Sequence, residues 1–234
     1  LEFRRVLFRS GVTGPCSALL RDYTKTGQST HILYGGAPIE RLCVIQPKRL
    51  TSEEIPLIVY AGNGRYYQGI DDLLASLSTI KEEQWKLLLI LSSDEQGIDI
   101  LLKKYGIKER CILRSKLPQD DVFSLVKGSD IAIVPRPDVP VTRYAFPSKL
   151  VEYLGTGTAV ISTDVSDAKI FVKTGETGWL VPPSDPQKLA EAIRDALQHP
   201  EKRQKYGNRG REFVKENMGW NKIIAKLQIG RAHV

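Results

Sequence analysis

PSKLVEYLGTGTAVISTD, residues 147–164, reads as a helix start, a glycine turn and a buried strand. Pro147 suits the first helical position, where its fixed φ is already helical and its missing N–H is not needed. Leu150, Val151 and Leu154 then fall on one stripe facing a sheet, and AVIS at 159–162 is the strand. Lys149 and Glu152 are three apart, hence neighbours on the other side of the helix. A surface ion pair explains them simply. Each also has a more specific use. A lysine near a helix start opposes the dipole by a few tenths of a kcal/mol unless an anion is bound there, and a carboxylate accepts two hydrogen bonds from a cis-diol. Cation for diphosphate and carboxylate for ribose is the recognition chemistry of a nucleotide sugar.

Outward from this stretch the chain alternates short apolar runs with amphipathic ones. LIVYAG (57–62), KLLLIL (86–91), RCIL (110–113), IAIVP (131–135), AVIS and GWLVP (178–182) read as buried strands bounded by turn formers. Between them Ile70, Leu73, Leu74, Leu77 and Ile80 form one helical stripe, Val122, Phe123 and Val126 another. Leu189, Ile193 and Leu197 form a third, entered through Asp185 as cap and Pro186. Strand, helix, strand in repetition predicts an α/β fold: a parallel sheet of about six strands with helices on both faces. Residues 15–50 hold a helix (CSALLRDYTKTG), a strand (THILYGG) and a polar, proline-marked linker. Past the sheet, two helices follow, the second striped by Trp220, Ile223, Ile224 and Leu227; a packed flank with a solvated outer face accounts for them.

Ligands of open parallel sheets bind outside the carboxyl ends of the strands. AGNGRYYQG at 61–69 stands at one such end. Gly62, Gly64 and Gly69 let the backbone approach a ligand, the amides of the next helix suit phosphate, and Arg65 adds a cation. The spacing is not the dinucleotide fingerprint, since the third glycine comes two positions late and no acidic residue closes the second strand. A tight turn needing glycine for geometry explains the loop equally.

LEFRRVLFRS at 1–10 and IGRAHV at 229–234 resemble translated sequencing-adapter ends and are expected to be artefacts. Met218 is the only methionine, so the native start is expected upstream of Gly11. Of the formal charge of +7, the first ten residues hold three arginines against Glu2 and the tail holds Arg231, which leaves +4 on residues 11–228. That is too mild for a nucleic-acid partner, whose site shows a concentrated basic stripe. Cys16, Cys43 and Cys111 are odd in number and widely separated, so neither a disulfide framework nor a zinc site is expected, and they read as reduced thiols of a cytosolic protein. No apolar run approaches a membrane span.

From Ile55 to Leu227 the chain resembles the C-terminal, donor-binding domain of a GT-B glycosyltransferase of the retaining, family-4 type. The matching blocks, in order, are GNGRYYQG, LPQDDVFSLVKGSDIAIVP, FPSKLVEYLGTGTAVIST, TGETGWLVPPSDPQKLAEAIRDAL and a closing helix at Trp220. The resemblance implies that residues 11–54 end a preceding domain and its linker, and that 55–228 form a Rossmann-like nucleotide-sugar-binding domain with C-terminal helices. It implies that Glu152 holds the donor ribose, that Gly62, Gly64, Arg65, Gln68, Ser148 and Lys149 face the diphosphate, and that Arg114, Lys116, Leu117, Arg143 and Tyr144 border the base or sugar. Two departures stand out. Tyr144 occupies the place of the first glutamate of the family's pair, and Asn63 and Gln68 replace its arginine and lysine; Arg65, Lys149 and Arg143 are candidates to restore that charge.

The resemblance further implies transfer of a sugar from a nucleoside diphosphate sugar to a glycan or lipid-linked acceptor, with retention. No metal or other cofactor is implied, and the location is cytoplasmic, with the parent peripheral to the inner membrane face as an option. Most of the acceptor-binding domain lies outside this sequence, so the chain alone is expected to bind the donor weakly and not to turn over. Two competitors are a nucleotide-sugar epimerase of the same architecture, disfavoured by the placement of His31, His199 and His233, and a non-catalytic or dinucleotide-binding Rossmann domain.

Overall fold

The computed structural model describes residues 7–8, 11–24, 29–93 and 95–224. The leading part consists of β1 (Leu7–Phe8), β2 (Gly11–Gly14), α1 (Ser17–Tyr23) and β3 (Ser29–Ile32), followed by α2 (Ile39–Val44). β2 and β3 pair in parallel; β1 adds antiparallel, Leu7 opposite Val12 and Phe8 opposite Gly11. Leu7 and Phe8 belong to the stretch expected to be an artefact without structure. They are paired because an edge strand offers main-chain groups that almost any short extended segment can meet. The rest of that stretch, 1–6 and 9–10, and the tail 229–234 lie outside the described residues.

The main body runs β4 (Leu57–Gly62), α3 (Ile70–Ser78), β5 (Lys86–Leu91), α4 (Glu95–Tyr105), β6 (Cys111–Ser115), α5 (Gln119–Lys127), β7 (Ile131–Val134), α6 (Pro140–Arg143) and α7 (Ser148–Thr156). It continues with β8 (Ala159–Thr163), α8 (Ala168–Phe171), β9 (Gly178–Val181), α9 (Pro186–Gln198) and α10 (Pro200–Asn217). The six strands from β4 to β9 form one parallel sheet in the order β6-β5-β4-β7-β8-β9. Side chains alternate across it with the period of two that extended backbone imposes. Ile58, Tyr60, Leu87, Leu89, Ile131, Ile133 and Ile161 pack into one layer with residues of α3, α4 and α9. Leu57, Val59, Leu88, Ile90, Ala132, Val134 and Val160 pack into the other with α5, α7 and Val214 of α10. Because both faces are covered, the central strands are buried and largely apolar, as a parallel sheet requires, while the edge strand β6 carries the exposed Arg114.

Four readings change. Pro147 stands one residue before α7, as its N-cap with φ −80° and ψ 80°. Gly155 and Thr156 complete that helix, and only Gly157, at φ +84°, makes the turn. Gly155 is needed for packing: a Cβ there would lie 2.7 Å from Leu42 Cδ1. The stretch read as a linker contains α2, because Ile39 and Leu42 have an apolar seat on α7. Beyond α10, residues 220–224 are helical, with Ile223 buried but Trp220 48% and Ile224 47% exposed; Leu227 is outside the described residues. Asp185 caps α9 as expected, its Oδ1 accepting from the Lys188 amide at 3.0 Å. Among the described residues no helix is long and apolar enough to cross a membrane.

Candidate functional site

The strand order reverses at β4, whose neighbours are β5 on one side and β7 on the other, and such a switch point opens a crevice at the carboxyl ends. The ladder between β4 and β7 covers only Ile58 with Ile131 and Val59 with Ala132. Past Val59 the buried Tyr153 of α7 takes over: its hydroxyl accepts from the Ala61 amide at 2.8 Å and donates to the Ala61 carbonyl at 3.1 Å. Buried main-chain groups need partners, and this one side chain supplies two while pinning α7 over the end of β4.

That placement creates a cleft of about 250 Å³ lined by Gly62, Leu91, Lys116, Leu117, Lys149 and Glu152 among others. Lys149 and Glu152 share it, as their spacing on one helix face predicts, and they are not ion-paired. The Lys149 ammonium donates to Gln68 Oε1 at 2.6 Å and Tyr60 Oη at 3.1 Å, and lies 4.5 Å from the centre of the Tyr60 ring. Its partners are neutral. Burial first, then the nearby Arg136, pulls its pKa down to about 7, with Glu152 partly offsetting them. Burial likewise raises Glu152, opposed by Lys149. Among the described residues the Glu152 carboxylate makes no hydrogen bond, so its acceptors face the cleft. Gly62 is required for contact with the lysine: a Cβ there would sit 2.2 Å from Lys149 Nζ.

Other expected site residues are placed differently. Gln68 is buried and turned to the lysine, so it positions the cation. Asn63 Oδ1 accepts from the Arg65 amide at 3.1 Å, closing the loop, while the Arg65 residue is exposed outside the cleft lining. Gly64 donates to Ser93 O at 3.3 Å. Ser148 is exposed at the start of α7. Arg114 is exposed on β6 and donates to Leu113 O. Arg143 is held by Asp138 at 3.0 and 3.1 Å, which leaves it no free charge to stand in for a loop cation. The Tyr144 hydroxyl donates to Asp22 at 2.9 Å and its ring meets Tyr23 edge-on, so it joins the leading part to the main body.

One residue escaped the sequence reading. Arg136, two positions past β7, is only 9% exposed, and its Nε is buried with no partner. In the sequence it sits between two prolines as an ordinary loop arginine; only its proline neighbours, which exclude a helix, hinted at a fixed position. Among the described residues no three His, Cys, Asp or Glu side chains gather to hold a metal.

The structure thus presents a doubly covered parallel sheet with a half-buried ammonium and an open carboxylate at its switch point. The chain belongs to the family described as glycosyl transferases group 1, whose profile matches residues 44–213. It is 25% identical over 228 residues to the D-inositol 3-phosphate glycosyltransferase of Corynebacterium diphtheriae, covering 90% of this chain and 52% of that protein. Its fold matches sucrose-phosphate synthase from Thermosynechococcus elongatus with a TM-score of 0.80 at 25% identity, over 94% of this chain and 57% of the other. It also matches Anabaena HepE in complex with UDP and glucose, TM-score 0.79 at 14% identity, over 96% and 64%. The chain spans about half the length of the curated relatives it matches.

Proposed function

We propose that this chain is mainly the donor-binding half of a retaining glycosyltransferase that uses a nucleoside diphosphate sugar. The observation carrying this reading is the shared cleft of Lys149 and Glu152 at the carboxyl end of β4. Glu152 accepts hydrogen bonds from the ribose diol. Lys149, with Gly62 giving close backbone approach, holds the diphosphate, and Lys116 and Leu117 border the base. The presence of UDP in the Anabaena neighbour supports a diphosphate ligand of this kind.

In the parent protein, the positive groups stabilise charge that builds on the departing diphosphate, and a partner domain closing over the cleft excludes water from the donor. The acceptor, a glycan or lipid-linked sugar, is bound by that partner domain, of which residues 11–54 supply the last elements and linker. The chain alone therefore binds donor without turnover.

Calorimetry with UDP, GDP and nicotinamide adenine dinucleotide tests this. One of the two diphosphates binds, the dinucleotide does not, and Glu152→Ala weakens the diphosphate roughly tenfold or more, the loss expected for hydrogen bonds to a charged acceptor. Preference for the dinucleotide, or an unaffected Glu152→Ala variant, refutes the assignment. Acceptor glycosylation by the chain alone refutes the claim that it does not turn over.

A further inference from the structure

We propose that Arg136 is a second cationic contact of the cleft, taking the phosphate next to the sugar while Lys149 takes the one nearer the ribose. The inference rests on the donor-binding reading and adds a residue that neither the loop pattern nor the helix spacing indicates.

The first support is the state of the side chain. Arg136 is nine-tenths buried. Nη1 donates to Ala145 O at 3.0 Å, and Nε is enclosed without a partner. A guanidinium carries five N–H donors, and this one satisfies one of them against the described residues. The groups close enough to influence it are Tyr60, Tyr67, Cys16 and Lys149. None is a carboxylate, and one is a second cation. Burying a charge beside a like charge is costly unless an anion completes the arrangement. Among the described residues neither cation is ion-paired, the Glu152 carboxylate only partly offsetting Lys149, so a dianionic group fits both.

The second support is position. Leu91, Lys116 and Leu117 place one end of the cleft over β5 and β6, and Gly62 with Lys149 places its middle over β4. Arg136 stands beside the cleft lining rather than in it: it follows β7, the next strand in the sheet, where its carbonyl accepts from Thr163 Oγ1 at 2.6 Å. Adjacent strands lie about 4.8 Å apart, so a ligand lying across the strand ends with its base toward β6 meets Glu152 and Lys149 first and Arg136 last. The group at that far end of a nucleoside diphosphate is its terminal phosphate.

The position predicts discrimination between di- and monophosphates. Calorimetry on the full chain at pH 7 identifies which of UDP and GDP binds, and displacement of that nucleotide gives the affinity of the matching monophosphate. Arg136→Gln and Arg136→Lys are expected to weaken the diphosphate, the glutamine form by roughly tenfold or more, and to leave the monophosphate within about twofold. A structural role, in which Arg136 merely fixes Ala145 ahead of α7, lowers both affinities by the same factor and overturns the proposal, as does no change in either. Should Arg136→Gln not fold, Arg136→Lys, which keeps the charge, carries the comparison. Failure of the unaltered chain to bind either diphosphate defeats the donor-binding reading itself, a result visible before any variant is made.

Discussion

Lys149 is held by two neutral oxygens and an aromatic face, and its proton is correspondingly loose. With its pKa near 7 in the folded chain, below the usual lysine range, the unfolded chain binds the extra proton between about pH 7 and the ordinary lysine value. Stability contributed through this group therefore rises with pH across that window. Ligand affinity moves the opposite way. A bound diphosphate favours the ammonium, so binding takes up a proton above pH 7 and weakens by up to about tenfold per unit. Calorimetry in two buffers of different ionisation enthalpy at pH 8 reads that uptake directly; equal heats in both refute it. A second expectation concerns Gly62. Gly62→Ala drives a methyl into the Lys149 ammonium and to 2.7 Å from the buried Tyr60 hydroxyl, so diphosphate affinity by calorimetry and melting temperature are both expected to fall. At this scale the sequence revealed the pair on α7, because helical spacing is local. It did not reveal Arg136 or the neutral seat of the lysine, because both depend on where β7 and Tyr60 end in space.

The element that organises the cleft is α7, and Tyr153 is what fixes it. Tyr153→Phe keeps the ring but leaves the Ala61 amide and carbonyl without their partner, costing about 1–3 kcal/mol in chemical denaturation. Gly69 is the other fixed point. It lies at φ +74°, and a Cβ would fall 1.7 Å from Pro135 O, so Gly69→Ala combines strain with overpacking for roughly 3 kcal/mol or more. A loss below about 1 kcal/mol in either variant contradicts the account. The six strands of the main sheet were legible to within about two residues, since runs such as LIVYAG and KLLLIL are buried on both faces and end at turn formers. α2 was not, because six residues starting at Ile39 carry too little periodicity to compete with the prolines around them, and their helix depends on Gly155 leaving room for Leu42.

Across the whole molecule a buried acid adds to the Tyr144–Asp22 contact in fastening the leading part. Asp167 is 2% exposed; its carboxylate accepts from the Ser17 amide at 2.7 Å, the Tyr34 hydroxyl at 3.0 Å and the Ser17 hydroxyl. Asp167→Ala strands these donors, and limited proteolysis is expected to cut before Ala37 at least tenfold faster, as local opening becomes cheaper by the worth of charge-assisted bonds. Unchanged cleavage would falsify that role. None of this was visible in the sequence, where Ser17 and Asp167 are 150 positions apart.

The incoming and outgoing chain also cross at one spot. Ala37 bridges to Gly219, its amide donating to Met218 O at 2.8 Å, and Gly36 lies under the Trp220 ring. Bulk added at Gly36 would therefore push the Trp220 ring away and part the two ends of the chain without touching the cleft.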